Sequence, residues 1–537
     1  MVGHLFLVGA HMQTKDHNYN ALPDYDAMEE IFFAPKDYQY NPLDEMTEDE
    51  MPIPTNNENE EDSILNKEKD IKKISKPLTV VKKDNTQDVE KGKEIFITDV
   101  KIRREPSFNI AELTVSEPVK IMKKNQGDRL LKIRITTPVR LSDKKLRKKL
   151  DDNFYKVAIY EAESYTELLF TTKGKIGNPY TASDTTGIFK LCVPYQSKES
   201  RFALRRGQEI ADGLTYYHDR GLSGSGWSDV HILRIEPLSN KIQVLPVLAN
   251  EGIAQRESLS SMAKKYNAIA GINGSYFTWK GDPIGTLIIN RKLISSPLYK
   301  RSVFGITEEE KLIFGNPDFS GTLRSGRISL KIDAVNQPRR GSSLVVFTPE
   351  YAKSTLTTEI GKEFVLVKGK IVGIYTKDAL IPPDGVVVSA GGINASLLSS
   401  LKLGQTIELD YSIDKPWNSI KHAICGGPRL LADGKVSING KEEKFDSSII
   451  NGRHPRTAVA MTFDGDLLLV VVDGRKKDSV GMKLSELAEY LQRLGCMHAI
   501  NLDGGGSTAM YLNGKIINNP SDGTERRISN GILVTKR

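Results

Sequence analysis

From about residue 91 onward, apolar positions recur at every second residue in short runs. EIFITDVKIRRE, NIAELTVSE, LLKIRITT, YKVAIYEA, TELLFTT and GIFKLCVP alternate in this way, with polar turn residues between them. A period of two over four to eight residues marks a half-buried strand. Even spacing of such runs predicts a small all-β sandwich over residues 91–205. Residues 1–90 carry no apolar periodicity. Asn, Asp, Glu and Lys dominate there, as in NNENEEDSILNKEKDIKK, which predicts a disordered acidic tail or linker with a short helical piece around Asp24 to Phe33.

Residues 206–537 mix two periods. HILRIEP, KIQVLPVLA, EFVLVKGKIVGIY, TAVAMTF and DLLLVVVDG read as strands. Leu259, Met262, Ala263 and Tyr266 fall at helical spacing behind Ser258, a good N-cap. Leu484, Leu487, Ala488, Leu491 and Leu494 form a second helical stripe, stopped by Gly495. Asp464-Gly465 and Asn513-Gly514 are tight-hairpin signals. The expected architecture is therefore multidomain: the tail, the β-sandwich, and a larger mixed α+β domain at 206–537.

Composition agrees with globular folding. The 537 residues are 39% hydrophobic and 27% charged, with 44 Gly and 24 Pro, which excludes collagen, coiled coil and wholesale disorder. No apolar run reaches the roughly 18 residues of a membrane helix. Leu5 to Ala10 is a short apolar stretch without a cationic flank, so no clear signal peptide is present. That leaves a cytoplasmic chain, or a native leader outside this sequence. The charge is uneven: residues 1–90 hold 9 Lys/Arg against 20 Asp/Glu, and the rest holds 66 against 48, a net +18. A basic body suits an anionic partner such as a phosphate-bearing glycan, a membrane surface or nucleic acid; a solvated basic surface is the other reading. Cys192, Cys425 and Cys496 form neither a disulfide framework nor a zinc spacing.

Four segments of the third region could carry chemistry. GINGSYF frames Asn273, Ser275 and Tyr276 with glycines, either as a site mouth or as a plain tight turn. CGGPRL places Arg429 after two glycines that allow close backbone approach to a ligand. RHPRT sets Arg453, His454 and Arg456 within four residues, a phosphate clamp or a basic surface cluster, and its hairpin ends at Asp473-Gly474-Arg475. Asp473 follows an apolar strand, as a catalytic residue or a turn cap would. AINLDGGGSTA is the most specific segment. A buried strand delivers Asn501 and Asp503 into Gly504, Gly505, Gly506 and Ser507, where backbone N–H groups can form an anion nest. A dinucleotide loop is excluded, because that fingerprint needs a helix next and MYLNGKII reads as a hairpin. There is also no phosphate-binding P-loop, zinc-protease HExxH or nucleophile elbow. Aromatic and basic residues do not interleave as single-strand binders require, so nucleic acid is not the expected substrate.

Taken in order, GINGSYF, GGPRLLADGK, RHPRTAVAM, VVVDGR, GMKLSELAEYLQRLG and AINLDGGGSTAMYLNGKIINNPSDGTERRISNGILV resemble the phosphodiester glycosidase family over residues 207–537. The resemblance implies hydrolysis of a sugar joined through its anomeric carbon to a phosphodiester, of the N-acetylglucosamine-1-phosphodiester type. It carries over Asn273, Tyr276, Gly426, Gly427, Pro428, Arg456, Thr457, Asp473, Arg475, Asn501, Asp503, Gly504, Gly505, Gly506, Ser507 and Arg527 as motif positions. Cys425 and Cys496 stand where the family has small residues, which hints at a disulfide between them. IFITDVKIRRE, AELTVSEPVKI and DRLLKIRI, within residues 95–200, resemble an AMIN domain, which implies binding of peptidoglycan or cell-wall glycan through residues 91–205. Together the two resemblances imply a cell-envelope, periplasmic or extracellular location and a substrate in envelope glycan or exopolysaccharide.

An anomeric phosphodiester already has a good leaving group. What remains to be stabilised is negative charge on phosphate and positive charge developing at the anomeric carbon. Arg456, with Arg475 or Arg429, and the Gly504–Gly506 N–H groups are the phosphate candidates. Asp503 or Asp473 faces the sugar as nucleophile or as base to water. No cofactor is required; a divalent cation is compatible, but no ligand spacing demands one. The rival from another class is a non-catalytic envelope glycan-binding protein. An amidase-type wall hydrolase would need a zinc-binding His/Glu set that the sequence lacks.

Overall fold

The computed structural model describes residues 95–537 apart from 126–128, 144–145, 147–148, 151–152, 163, 184–186, 198–203, 205–206, 224 and 237–240. The expected acidic tail at 1–90, with its helical piece at 24–33, lies outside the described residues.

Every strand expected between 91 and 205 forms. One sheet orders Val139–Leu141, Ile95–Arg104, Phe108–Val115, Phe189–Gln196 and Tyr180–Ser183; the other orders Ile121–Asn125, Leu130–Ile135, Thr166–Thr172 and Phe154–Glu161. Alternation does the sorting: in Thr166–Thr172 every odd position is buried, so Leu168 and Phe170 face inward. They meet Ile97, Leu113, Leu131, Ile133, Leu191 and Tyr195 in one core.

The region after residue 207 is also built mostly of sheets. An eight-stranded sheet runs in the order Gln208–Ala211, Leu214–Ser223, Gly226–Ile235, Leu467–Val472, Arg456–Thr462, Cys496–Asn501, Arg429–Ala432, Lys435–Val436. A five-stranded sheet orders Ile242–Leu248, Asn530–Lys536, Ala270–Asn273, Met510–Leu512 and Lys515–Ile516. Between these sheets Ile272, Val459, Leu469, Ile500, Leu502, Met510 and Ile532 share a core. Further sheets between 287 and 425 extend it.

Among the described residues the α-helices are Leu259–Lys265 (α1), Gly392–Leu397 (α2), Ser447–Asn451 (α3) and Leu484–Arg493 (α4). The expected mixture of helix and strand is therefore weighted heavily to strand. Both helices read from the sequence form. Ser258 caps α1 by accepting from Ser261 N–H, and α4 buries Leu484, Leu487, Ala488 and Leu491 against the outer face of the eight-stranded sheet. Gly495 stops α4 at φ +83, a value that favours glycine. The Asn513-Gly514 hairpin has both residues at positive φ (46 and 95), as a two-residue primed turn requires.

The sandwich packs on the far end of the eight-stranded sheet. Phe108 stacks on Phe463 with ring centroids 5.4 Å apart, Lys175 pairs with Asp464 at 2.7 Å, and Ser107 donates to the Arg493 carbonyl. Phe463 sits in the Thr462–Leu467 hairpin turn, opposite the strand ends that carry the motifs.

Candidate active site

Four strand ends meet at one edge of the two sheets: the exits of Ala270–Asn273, Leu467–Val472 and Cys496–Asn501, and the entry of Arg456–Thr462. Asn273 ties them together and is fully buried. Its Nδ2 donates to the Asp503 carbonyl at 2.7 Å, and its Oδ1 accepts from Thr457 Oγ1 (2.7 Å) and Ala509 N–H (3.1 Å). Thr457 in turn accepts from Leu502 N–H at 2.8 Å. Asn273 and Thr457 therefore position the loop.

Asp503 is the carboxylate this scaffold presents. It is half-buried, and its neighbours are Gly504 N–H, which donates to Oδ1 at 2.9 Å, and Ser507. Burial pushes its acid up from the usual carboxylate range to about 6; Ser507, Gly504 N–H and the Arg526 charge oppose the rise. The buried Ser507 Oγ itself meets no partner of good hydrogen-bond geometry, nor do Thr508 Oγ1 and Asn501 Oδ1. Unpartnered Thr508 Oγ1 and Asn501 Oδ1, in a segment with one perturbed carboxylate, mark a place built to receive polar groups.

One wall of this place is aromatic. Asn501 Nδ2 donates to Tyr276 Oη at 2.7 Å, and Tyr276 Oη donates to the Gly427 carbonyl at 3.1 Å. Burial pushes the Tyr276 phenol well up, and the charge of Asp503 adds to this, so it stays a phenol. Phe445 tilts against its ring at 5.2 Å, and the Arg301 guanidinium lies 4.0 Å over Phe445 and 5.6 Å over Tyr276. Gly427 is at φ +106, and a Cβ there would run into the Glu443 carboxylate and Phe445. Glu443 is buried and accepts from Ser302 Oγ (2.6 Å), Ser302 N–H (2.9 Å) and Arg429 N–H (3.0 Å). Arg301 and Glu443 escaped the sequence reading. Neither lies in a motif, and both reach the site only through the fold. The one local signal is at Tyr299 and Lys300, a turn closed by Arg301 N–H to Leu298 O with both residues at positive φ without being glycine.

The arginines divide by what they bond. Arg456 is 2% exposed; its Nε donates to Met482 O (2.9 Å) and its Nη2 to Ile449 O (3.0 Å) and Gly452 O (2.6 Å). Burial lowers it to about 10. These three bonds brace the loops below the site through Nε and Nη2. Arg453 makes a bidentate pair with Glu486 of α4 at 2.7 Å. Arg429 Nε turns to Ser437 O at 3.4 Å. Arg475 is exposed and at φ +62. It contacts His454 Nδ1 at 3.2 Å, and its guanidinium would lie 3.2 Å from a Cβ added at Gly505. Arg527 Nε donates outward to Arg256 O at 3.1 Å. The neighbour not singled out, Arg526, covers the loop instead: its guanidinium and the Asp522 carboxylate that pairs with it at 2.7 Å occupy the space of a Gly506 Cβ.

Asp473 stands at the same edge but is fully engaged. Oδ1 accepts from Asn518 Nδ2 and Oδ2 from Asn519 N–H, each at 2.9 Å, with His231 Nε2 at 3.5 Å, and it is 3% exposed. The anion nest is also smaller than expected. Gly504 N–H goes to Asp503, Gly505 N–H goes to Pro455 O at 3.0 Å, and among the described residues only Gly506 N–H of the three is without a drawn bond. A single 3-10 turn at Gly505–Ser507 follows and then strand Met510–Leu512, as the exclusion of a dinucleotide loop required. Among the described residues no three His, Cys, Asp or Glu cluster as metal ligands would. Cys425 and Cys496 are buried free thiols in separate cores, so the hinted disulfide does not form.

Residues 361–535 match the family described as phosphodiester glycosidase, the class to which the motifs pointed. The matched stretch holds CGGPR, RHPRT, DGR and NLDGGGS; GINGSYF lies ahead of it. Among curated proteins the chain is similar to N-acetylglucosamine-1-phosphodiester alpha-N-acetylglucosaminidase of Mus musculus, 32% identical over 152 residues covering 26% of this chain and 29% of that protein. It is also similar to an SPbeta prophage-derived uncharacterized protein of Bacillus subtilis, 28% identical over 172 residues, 31% of this chain and 26% of that one. The chain thus spans less than a third of these relatives' own length. In overall fold it resembles a hypothetical protein from Synechocystis, with TM-score 0.58 and 21% identity over 83% of this chain and 81% of the other.

Proposed function

We propose that the chain hydrolyses a sugar linked through its anomeric carbon to a phosphodiester, of the N-acetylglucosamine-1-phosphodiester type, within envelope glycan or exopolysaccharide. The observation that carries this reading is Asp503: a half-buried carboxylate raised to about 6 at the head of a glycine loop, with the Arg475 guanidinium against Gly505 and the Arg526 guanidinium against Gly506. Above pH 6 it is ionised and faces the positive charge that develops at the anomeric carbon, either bonding to that carbon or taking a proton from the attacking water. Arg475 and Arg526 supply positive charge at the loop for the departing phosphate, with Gly506 N–H as a backbone donor. The phosphomonoester leaves with the electron pair of the broken carbon–oxygen bond. Tyr276 and Asn501 form the polar wall against which the sugar orients.

Envelope location and wall-glycan binding through residues 91–205 belong to the same proposal and are supported by the AMIN resemblance; co-sedimentation of the full chain with purified wall material tests them. The activity is tested with a synthetic methyl phosphodiester of N-acetylglucosamine 1-phosphate. Free sugar and methyl phosphate in equal amounts are expected. Tight binding without release of either would leave a glycan-binding protein.

A further inference from the structure

The GINGSYF turn continues into a feature that the chemistry above leaves unused. Trp279 is 86% exposed, the most exposed large apolar side chain among the described residues. An indole left in water is costly unless something covers it in use. The Arg256 guanidinium lies over its ring at 5.0 Å, so one face is already occupied by a cation and the other is open. The ring borders a cleft of about 440 Å3 whose rim includes Arg256, Lys280, Thr357, Thr358 and Asp378. Asp378 keeps its negative charge but is tied back into the protein, its Oδ1 accepting from Ser354 Oγ at 2.7 Å and Leu356 N–H at 3.0 Å, and it stands against two cations on the rim. The cations dominate. Lys280 is exposed and makes only a long contact, 3.4 Å, to Leu356 O.

Two stretches of chain link this cleft to the candidate site. Trp279 lies three residues beyond Tyr276. Arg256 O accepts from Arg527 Nε at 3.1 Å, and the adjoining Arg526 covers Gly506 next to Asp503. A flat aromatic face, hydroxyls and spaced cations fit a sugar ring stacked between negative charges. They do not fit a purely apolar ligand.

We infer that the Trp279–Arg256–Lys280 cleft is a second binding site, for an anionic glycan chain extending from the bond cut at Asp503. The inference rests on the proposed activity and adds that the substrate is a polymer with charged repeats, gripped at a distance from the scissile phosphate. Stacking supplies the grip and the cations select charged chains, so binding weakens with salt.

The test uses the full chain, its Trp279→Ala and Lys280→Ala variants, and two substrates: the methyl phosphodiester above and a synthetic oligomer of several sugar 1-phosphodiester units. Trp279→Ala is expected to raise KM for the oligomer about tenfold. Its kcat/KM on the methyl diester should stay within about twofold and its melting temperature should not change. Calorimetric titration of the oligomer into Asp503→Asn protein with and without Trp279→Ala should show the same Trp279-dependent affinity loss without turnover, and a neutral oligosaccharide of equal length should bind far more weakly. Equal KM changes on both substrates, or equal affinity for charged and neutral oligomers, would overturn the inference. So would a Trp279-dependent dimer in sedimentation with no effect on oligomer affinity. Absence of turnover on both substrates, with the oligomer still bound through Trp279, would instead sink the proposed activity and leave the cleft standing.

Discussion

Two aspartates leave neighbouring regions of one sheet, and they are opposites. Asp473 ends strand Leu467–Val472 and is held by Asn518, Asn519 and His231 at 3% exposure. Asp503 follows strand Cys496–Asn501 into the glycine loop, where only Gly504 N–H donates to it at good geometry and the carboxyl is raised to about 6. A carboxylate surrounded by donors is an anchor. One raised by burial, at the head of a glycine loop, is available for chemistry. The same contrast separates Arg456, bonded to three carbonyls, from Arg475 and Arg526, which lie over the glycines.

The comparison can be broken from several directions. Asp473→Ala should weaken folding. Asn518 Nδ2 would keep only the Thr508 carbonyl and Asn519 N–H would lose its acceptor, costing about 1–2 kcal/mol by thermal or urea unfolding. Remaining folded protein should retain turnover; a stable but inactive Asp473→Ala would put catalysis at the wrong strand end. Arg456→Lys cannot reproduce three carbonyl bonds from one ammonium and should destabilise by about 1–2 kcal/mol. Its rate losses should be equal on the phosphodiester and on an activated aryl glycoside without phosphate. A loss confined to the phosphodiester would return Arg456 to phosphate reading. Gly506→Ala should push aside the Arg526–Asp522 pair, raising KM a few-fold (about 1 kcal/mol) with little change in melting temperature.

The pH dependence follows from the same carboxyl. The folded Asp503 pKa of about 6 lies above the 3.8 of an unperturbed aspartate, so the folded state binds more protons between them. Its stabilising contribution is present below pH 3.8 and is lost as pH rises through 6. Asp503→Asn should therefore lose less stability than wild type between pH 4 and 7, while wild-type kcat/KM climbs through about pH 6. A flat wild-type profile across that range would argue against an ionised Asp503 in the rate-limiting step.

Local chemistry made much of this legible before any coordinates. Period-two runs gave the sandwich strands, Ser258 and Gly495 bounded two helices, and Asn513-Gly514 set the hairpin that rules out a dinucleotide loop. The convergence of Asn273, Tyr276, Asn501 and Asp503 also followed the motifs. What stayed hidden depended on partners far along the chain. An aspartate at a strand exit looks the same whether or not an asparagine 45 residues later closes over it. Arg526 and Arg527 are adjacent and chemically identical; only the path of the loop sends one over Gly506 and the other to Arg256. Arg301 and Glu443 reach Tyr276 and Gly427 through packing alone. That strands outnumber helices was legible in the many short apolar runs; the mixed α+β label still gave the two clear helical stripes more weight than the sheets leave them.

The central claim is that Asp503, and not Asp473, acts on the sugar. The direct measurement is release of N-acetylglucosamine from its methyl phosphodiester at pH 7 by wild type, Asp503→Asn and Asp473→Asn, with melting temperatures alongside. The account predicts that Asp503→Asn loses about two orders of magnitude in kcat at an unchanged or higher melting temperature. Asp473→Asn should melt earlier and keep most of its turnover per folded molecule. Near-wild-type kcat in Asp503→Asn, with Asp473→Asn folded and inactive, would contradict it.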